Sequence, residues 1–278
     1  MNRTPYVLMV APNGARRSKA DHPALPVTDA EIVEAAELCH VAGAHAAHLH
    51  VRDLAGNHIL DADRYIGLLD AVSLRCPNLI VQITTEAVGR YTPAEQRALI
   101  DEVKPAAVSI AFKELFATPA ELAKNSAFIE RTIAQGTAIQ WIVYSAKELE
   151  SLARYFAANV SLKVQSLLFV LGRYHPEQDS QPRHIMAFVA EYEKHSVFRN
   201  VPWMVCAFGR GETASLAAAL TFEGDVRVGF ENSLWNADGT LAANNADRVQ
   251  RMVHLAQQLG LTPATKEEAR DRLGLPMI

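Results

Sequence analysis

Short runs of apolar and β-branched residues recur along the chain, and longer segments with helical spacing of their apolar positions separate them. The runs predict eight β-strands at Tyr6–Val10, Ala46–Val51, Leu79–Thr84, Ala106–Ala111, Ile139–Tyr144, Leu167–Leu171, Trp203–Ala207 and Val226–Glu231. Most of these runs are apolar throughout rather than alternating, which is typical of parallel strands that are buried on both faces.

The segments with helical spacing fill the gaps between the strands and follow the last one. They predict helices at Asp29–Val41, Asp61–Val72, Pro93–Val103, Pro119–Ala134, Ala146–Ala157, Arg183–Tyr192, Glu212–Phe222, Ala246–Leu259 and Lys266–Leu273. Thr28 and Glu31 match a capping box at the start of the first helix. Pro93 and Pro119 stand in first turns, where a helix tolerates proline.

Eight strand–helix units in 278 residues predict an α/β fold, a single (β/α)8 TIM barrel over residues 1–278. A doubly wound sheet is the alternative. No Gly-x-Gly-x-x-Gly motif follows the first strand, however, and residues 12–15 read Pro-Asn-Gly-Ala instead. No linker, repeat or low-complexity stretch divides the chain.

Composition narrows the functional classes. With 49% hydrophobic residues, 21% charged residues and a net charge of -4, the chain is average for a globular protein and shows no basic footprint for nucleic acid. No apolar run approaches the ~18 residues of a membrane-spanning helix, and the amino-terminal sequence lacks a signal-peptide pattern. Three widely spaced cysteines indicate neither disulfides nor thiolate zinc. We therefore expect a cytoplasmic protein without nucleic-acid or membrane partners.

A His-x-His motif ends the second predicted strand, and strand alternation puts His48, His50 and Arg52 on one face. Paired imidazoles are suitable ligands for zinc, although two half-buried, hydrogen-bonded histidines are the simpler alternative. Functional groups of a barrel collect at the carboxyl ends of its strands, and closure puts the eighth strand beside the first. Glu231 is therefore expected near the two histidines, unless it forms a salt bridge with Arg227 or Arg52.

Two histidines and a glutamate with an open fourth position form a catalytic zinc pattern. Such an ion polarises a carbonyl or activates water. Alternation also predicts that Arg227, Gly229 and Glu231 share a face, with the glycine leaving room between cation and carboxylate.

Other polar residues follow the remaining strands and are candidates for the same site. They are Gln82, Thr84, Thr85 and Glu86 at the third strand, Ser109, Lys113 and Glu114 at the fourth, and Arg210 after the seventh. Each strand hydroxyl either packs locally or binds substrate. The loop between residues 13 and 26 carries Arg16, Arg17 and Lys19, and it is either a solvated loop or a site for an anionic group.

At these residues the chain resembles the β-keto acid cleavage enzyme family, and the resemblance covers essentially the whole chain. The matching stretches are Ala11–Arg17, Ala20–Pro26, Ala47–Asp53, Arg227–Glu231 and Asn244–Ala246. No single stretch is specific, but together they are.

The resemblance implies a (β/α)8 barrel with a divalent metal, usually zinc, held by His48, His50 and Glu231. It implies reaction of a β-keto acid with acetyl-CoA to give acetoacetate, or its CoA form, and a new acyl-CoA. A carbon nucleophile would add to the keto group, and retro-Claisen cleavage and CoA transfer would follow. Arg227 matches the family's active-site arginine, and Thr84 matches its substrate-contacting hydroxyl.

The chain departs from the family at Asn232, where well-known members have an aspartate that abstracts a proton. A neutral amide is no general base, so either Glu86 or Glu114 takes that role or the chemistry has shifted. The stretches 109–114 and 172–175 also differ from the small, Gly-rich versions of the family, which leaves the substrate and the use of CoA open.

The candidate residues therefore fall into three groups. The catalytic candidates are Arg227, Asn232 and Glu86; the substrate-binding candidates are Asn13, Arg52, Thr84, Thr85 and Ser109; the metal-binding candidates are His48, His50 and Glu231. Two alternatives stay open, a metal-dependent hydrolase or lyase on the same barrel and a non-catalytic barrel that binds zinc or a small acid. Manganese, cobalt and nickel suit the same ligands. Barrels of this size commonly assemble, so a homo-oligomer is expected.

Overall fold

The computed structural model describes residues 5–118, 120–172 and 180–276, with the side chain of Ala123 excepted. Pro119, the predicted start of the fourth helix, lies outside the described residues. The same holds for Arg173, Tyr174 and His175 of the stretch 172–175.

Eight parallel strands form a closed barrel in which each strand pairs with its neighbours in chain order and the last pairs with the first. They are Leu8–Val10 (β1), Ala46–Leu49 (β2), Ile80–Thr84 (β3), Ala107–Ala111 (β4), Ala138–Val143 (β5), Ser166–Leu171 (β6), Trp203–Ala207 (β7) and Asp225–Val228 (β8). Met9 of β1 pairs with Arg227 of β8, and this pairing closes the barrel. The predicted TIM barrel is confirmed.

Helices surround the barrel. They are Asp29–Val41 (α1), Ala62–Arg75 (α2), Pro93–Val103 (α3), Phe112–Leu115 (α4), Glu121–Ala134 (α5), Ala146–Ala158 (α6), Ile185–Lys194 (α7), Glu212–Thr221 (α8), Asn245–Gln258 (α9) and Lys266–Arg272 (α10). The predicted capping box at Thr28 and Glu31 is present, and α3 begins at Pro93 as expected. The short helix α4, which follows β4 directly, is not apparent from periodicity because it has only four residues.

Alternation along the strands separates two apolar cores. One lies between the strands and the helices, and its members include Leu49, Ile83 and Trp141. The other lies inside the barrel, where residues such as Met9 and Leu168 fill the amino-terminal part together with residues of the carboxyl-terminal segment around α10. The floor of the barrel is therefore sealed, and the polar interior residues lie above it, toward the carboxyl ends of the strands.

The end of β8 differs from the sequence prediction. The strand stops at Val228, because Gly229 adopts a φ of +136°, a region that residues with a side chain rarely adopt. A Cβ atom at Gly229 would lie 2.4 Å from the carbonyl oxygen of Ala11. The glycine thus permits a close approach of two backbones, and a turn rather than strand alternation presents Glu231. The predicted spacer role of Gly229 is wrong.

In the part of the chain that the structure describes, no helix has both the length and the apolar character needed to cross a membrane.

Candidate active site

A cavity of about 200 Å³ opens at the carboxyl end of the barrel. Its polar lining residues are Arg16, His48, His50, Thr84, Glu86, Ser109, Lys113, Glu114, Tyr144, Arg227 and Glu231. Ala111, Ile142, Val170 and Phe208 add an apolar part to its wall. This distribution suits a small polar molecule whose charged end lies at one side and whose carbon chain lies at the other.

The three predicted metal ligands meet at one side of this cavity. His48 Nε2 and His50 Nε2 are 3.0 Å apart, and Glu231 Oε2 lies 3.7 Å from the first and 3.4 Å from the second. All three side chains are buried, and each offers one ligand atom that lies within 4.8 Å of the ligand atoms of the other two. Ligand atoms 2.0–2.1 Å from a tetrahedral zinc ion lie about 3.3 Å apart, so the observed spacing fits zinc.

Neighbouring side chains orient this group. Gln82 Oε1 lies 2.8 Å from His48 Nδ1, and Arg227 donates a hydrogen bond of 2.9 Å to Glu231 Oε1. The second carboxylate oxygen of Glu231 thereby faces the histidines. The salt bridge that the sequence offered as an alternative role for Glu231 therefore coexists with its position beside the two imidazoles.

Burial and charge keep the three groups in metal-binding protonation states. Burial, with the nearby positive charge of Arg227 acting in the same direction, lowers the pKa of His48 to about 4. Burial also lowers the pKa of His50 well below its usual value. Burial alone would raise the pKa of Glu231, but Arg227 and the two histidines hold it below its usual range. At neutral pH the group is two neutral imidazoles and one carboxylate, as zinc requires.

Glu86 is the next carboxylate along the cavity wall. Its Oε2 lies 4.0 Å from His50 Nδ1, and its Oε1 lies 3.8 Å from Arg16 Nε. Burial raises the pKa of Glu86 to about 8, and the charges of Glu231 and Glu114 contribute in the same direction. A proton on this carboxyl is therefore held and released near neutral pH.

Two hydroxyls complete the predicted lining. Thr84 Oγ1 accepts a 3.0 Å hydrogen bond from the backbone N–H of Glu86, so its hydroxyl proton takes no part in that contact. Ser109 Oγ is buried without a hydrogen-bond partner among the described residues. The two residues occupy paired positions on β3 and β4, so their hydroxyls lie side by side on the wall.

Four other predicted site residues lie outside the cavity lining. Asn13 donates to the carbonyl of His50 at 2.8 Å, and Thr85 donates to the carbonyl of Ser109 at 3.1 Å. Arg52 donates to loop carbonyls, among them those of Gly14 and of Gly56. These contacts hold the backbone around the site rather than face a ligand.

Asn232 is the fourth of these residues. It is fully buried, and neither polar atom of its side chain has a hydrogen-bond partner within the described part of the chain. Its catalytic role stays a prediction.

Sequence reasoning missed several contributors. His58 is buried, with its ring 5.0 Å from that of His50 and its Nε2 3.0 Å from the carbonyl oxygen of Glu86. Tyr144 lines the cavity, and Lys113 Nζ lies 3.6 Å from the centre of its ring. Tyr144 shares the inward parity of β5, and this signal was sufficient to find it. Nothing at the level of sequence pattern marks His58.

The fold and the site together define a TIM-barrel enzyme. The chain matches the family model of the β-keto acid cleavage enzymes over residues 5–275. It therefore belongs to the β-keto acid cleavage enzyme family, as its motifs indicate.

Individual relatives agree with this assignment. A 3-keto-5-aminohexanoate cleavage enzyme of Fusobacterium nucleatum subsp. nucleatum is 31% identical over 97% of both chains. A 3-oxoadipate:acetyl-CoA acetyltransferase of Cupriavidus necator is 27% identical over 98% of this chain and 95% of that protein. Among solved structures, the binary complex of ObcA with oxaloacetate superposes with a TM-score of 0.74 at 20% identity, over 92% of this chain and 68% of that one. This last similarity concerns the fold alone.

Proposed function

We propose that this protein is a zinc-dependent enzyme that cleaves a β-keto acid with acetyl-CoA and forms acetoacetate and a new acyl-CoA. The observation that carries the proposal is the meeting of His48, His50 and Glu231 at one side of a cavity whose wall also holds Glu86. The names of relatives from the same family, which include an acetyl-CoA acetyltransferase, support the second substrate.

His48, His50 and Glu231 would hold the zinc ion, which acts as a Lewis acid on the oxygens of the keto acid when bound. Arg227, next to Glu231, supplies a fixed positive charge close to the negative charge that develops on those oxygens. Thr84 and Ser109, which line the same cavity on the neighbouring strands β3 and β4, would donate hydrogen bonds to the keto acid. The apolar side at Ile142, Val170 and Phe208 then receives the carbon chain.

Glu86 is proposed as the general base, on the basis of position. Glu114 also lines the cavity, but its Oε2 already accepts hydrogen bonds from the backbone N–H of Ala87 at 2.9 Å and from Gln96 at 3.1 Å. The described contacts of the Glu86 carboxylate, in contrast, are longer ionic ones of 3.8 and 4.0 Å. In this proposal, a carboxylate just beyond the carboxyl end of β3 replaces the aspartate that the family resemblance places at position 232.

The reaction balances without a further reagent. Glu86 removes a proton from the methylene carbon between the keto and carboxylate groups, which is acidic because both groups stabilise the carbanion. That carbon is already bonded to the keto carbon, so the electrophile that it attacks is the thioester carbonyl of acetyl-CoA. The attack forms a new carbon–carbon bond and expels the CoA thiolate. The thiolate then attacks the original keto carbon, and the carbon–carbon bond breaks to give acyl-CoA. The departing acetoacetate carbanion regains the proton from Glu86.

The test is a coupled measurement of metal content and turnover with a panel of β-keto acids and acetyl-CoA. The wild type should hold about one zinc per chain and form acetoacetate together with an acyl-CoA. Glu86→Gln should retain the zinc while kcat falls roughly 100- to 10,000-fold, as expected for the loss of a general base. Glu114→Gln is the matched control and should keep most of the turnover.

Three outcomes would contradict the proposal. Full turnover of Glu86→Gln would place the base elsewhere. Cleavage products without any CoA thioester would favour the metal-dependent hydrolase, and zinc binding without turnover on the whole panel would favour the non-catalytic barrel. Assembly into a homo-oligomer and a cytoplasmic location stay predictions, for which sedimentation of the purified protein and cell fractionation are the measurements.

A further inference from the structure

The environment of His48 holds a second feature, a pair of glutamine side chains behind the imidazole. His48 and Gln82 occupy paired positions on β2 and β3, and His48 Nδ1 lies 2.8 Å from Gln82 Oε1. Gln82 Nε2 in turn donates to Gln140 Oε1 of β5 at 3.2 Å. All three side chains are at most 2% exposed, so solvent does not compete for these contacts.

The direction of this chain of contacts decides the chemistry of His48. An amide that offers its oxygen to Nδ1 requires the Nδ1–H tautomer and leaves a lone pair on Nε2. An amide turned the other way would donate to Nδ1 and put the ring proton on Nε2, toward Glu231. The structure has the first arrangement, because Gln82 Nε2 donates to Gln140 Oε1 and the oxygen of Gln82 therefore faces His48 Nδ1.

We infer that Gln82 and Gln140 are positioning residues that lock His48 in the Nδ1–H tautomer and so direct its Nε2 lone pair to the metal. The inference rests on the proposed zinc site and deepens it. The partner of a metal-bound histidine is usually a carboxylate, a backbone carbonyl or water, and a carboxylate raises the basicity of the ring. A neutral amide fixes the ring without adding charge. His48 is then a weaker donor, and the bound ion retains more of its Lewis acidity.

Zinc affinity tests this inference without any turnover. The zinc dissociation constant of the full-length protein is measured by competition with a chromophoric chelator, and melting curves confirm that each variant is folded. Gln82→Leu should bind zinc roughly 10- to 100-fold more weakly than the wild type. Gln140→Leu, which removes only the acceptor of the Gln82 amide, should weaken binding by a smaller factor. Gln82→Glu keeps the acceptor and adds a charge, so it should bind zinc more tightly.

The matched control is a glutamine far from the site. Gln165 accepts from the backbone N–H of Ile139 and donates to the carbonyl of Gly274, at the amino end of the barrel. Gln165→Leu should lower the melting temperature and leave the zinc affinity unchanged. A purely structural role of the glutamine pair would make Gln82→Leu behave in the same way, and that result would overturn the inference.

A second readout is the tautomer itself, from nitrogen NMR of zinc-free protein with labelled histidine, with His48 assigned by comparison with His48→Ala. The wild type should show Nδ1–H, and Gln82→Leu should show a mixture of tautomers. An Nε2–H tautomer in the wild type would overturn the inference.

If the wild type shows Nδ1–H but binds no zinc, the metal proposal fails and the role of the amides stands. If zinc binds equally to wild type and Gln82→Leu, the amide role fails and the metal proposal stands.

Discussion

Two buried carboxylates stand at opposite ends of the eighth strand, and their surroundings differ. Asp225, at the amino end, accepts from the backbone N–H of Val7 at 2.8 Å and pairs with Arg272 Nε at 2.9 Å. Glu231, just beyond the carboxyl end, accepts from Arg227 at 2.9 Å through one oxygen, while its other oxygen lies 3.4 Å from His50 Nε2. Both carboxylates therefore have an arginine partner, but of the two only Glu231 faces the imidazoles of His48 and His50.

The comparison shows that the two ends of the barrel have different roles. At the amino end, the polar side chains tie segments together and the apolar floor seals the interior. At the carboxyl end, groups of equal burial are arranged toward a shared point in a cavity. Residues at the amino end of the barrel therefore contribute to stability, and residues at the carboxyl end form the candidate active site. This division is typical of TIM barrels.

Removing the functional carboxylate should have the largest effect on activity. Glu231→Gln takes away one of three proposed zinc ligands, and the loss of several kcal/mol of Lewis-acid stabilisation corresponds to at least about a 1000-fold loss of kcat/KM. Zinc content, measured on the same sample, should fall as well. Retention of both zinc and activity would erase the distinction between the two carboxylates.

Removing the structural carboxylate should act on folding instead. Asp225→Asn leaves Arg272 without its charge partner, and breaking a buried pair from one side costs about 3 kcal/mol. Urea unfolding measures this loss, and the activity of the folded enzyme should not change. The double variant Asp225→Asn with Arg272→Leu should recover part of the stability, since no unpaired charge then remains. A drop in activity without a drop in stability would contradict the assignment.

The residue after Glu231 offers a smaller and more specific test. Asn232→Asp restores the aspartate that the family resemblance leads one to expect, at a fully buried position. If Glu86 is the base, this substitution should not raise turnover, and the buried charge should lower the free energy of unfolding by roughly 1–3 kcal/mol. A higher turnover, above all in a Glu86→Gln background, would show that the base belongs at position 232.

Two buried hydroxyl groups, one at each end of the barrel, allow the same comparison with smaller expected effects. Thr137, at the amino end of the barrel, donates to the carbonyl of Pro105 at 2.7 Å, whereas Ser109 Oγ has no such partner within the described residues. Thr137→Val should cost about 1 kcal/mol of stability without changing KM. Ser109→Ala should be nearly neutral for stability and should raise KM for the keto acid. The opposite pattern would place the substrate elsewhere.

Much of the site was readable from strand parity. His48 and His50 point inward together because one residue separates them, and Thr84 and Glu86 line the same cavity for the same reason. Parity failed at Gly229, where a positive φ ends β8 and a turn presents Glu231. It gave no sign of His58, because the contact of that ring with His50 depends on how a loop folds back.

The sequence by itself determined the closed barrel, the pair of histidines at a strand end and the family, because periodicity and local motifs are properties of adjacent residues. Only the tertiary structure decided that the side chain of Asn232 stays outside the cavity lining, although the residue directly follows Glu231. It also decided that Gln82 and Gln140 meet behind His48. Such meetings join residues 34 to 58 positions apart, and the register and closure of the sheet fix them rather than any local pattern.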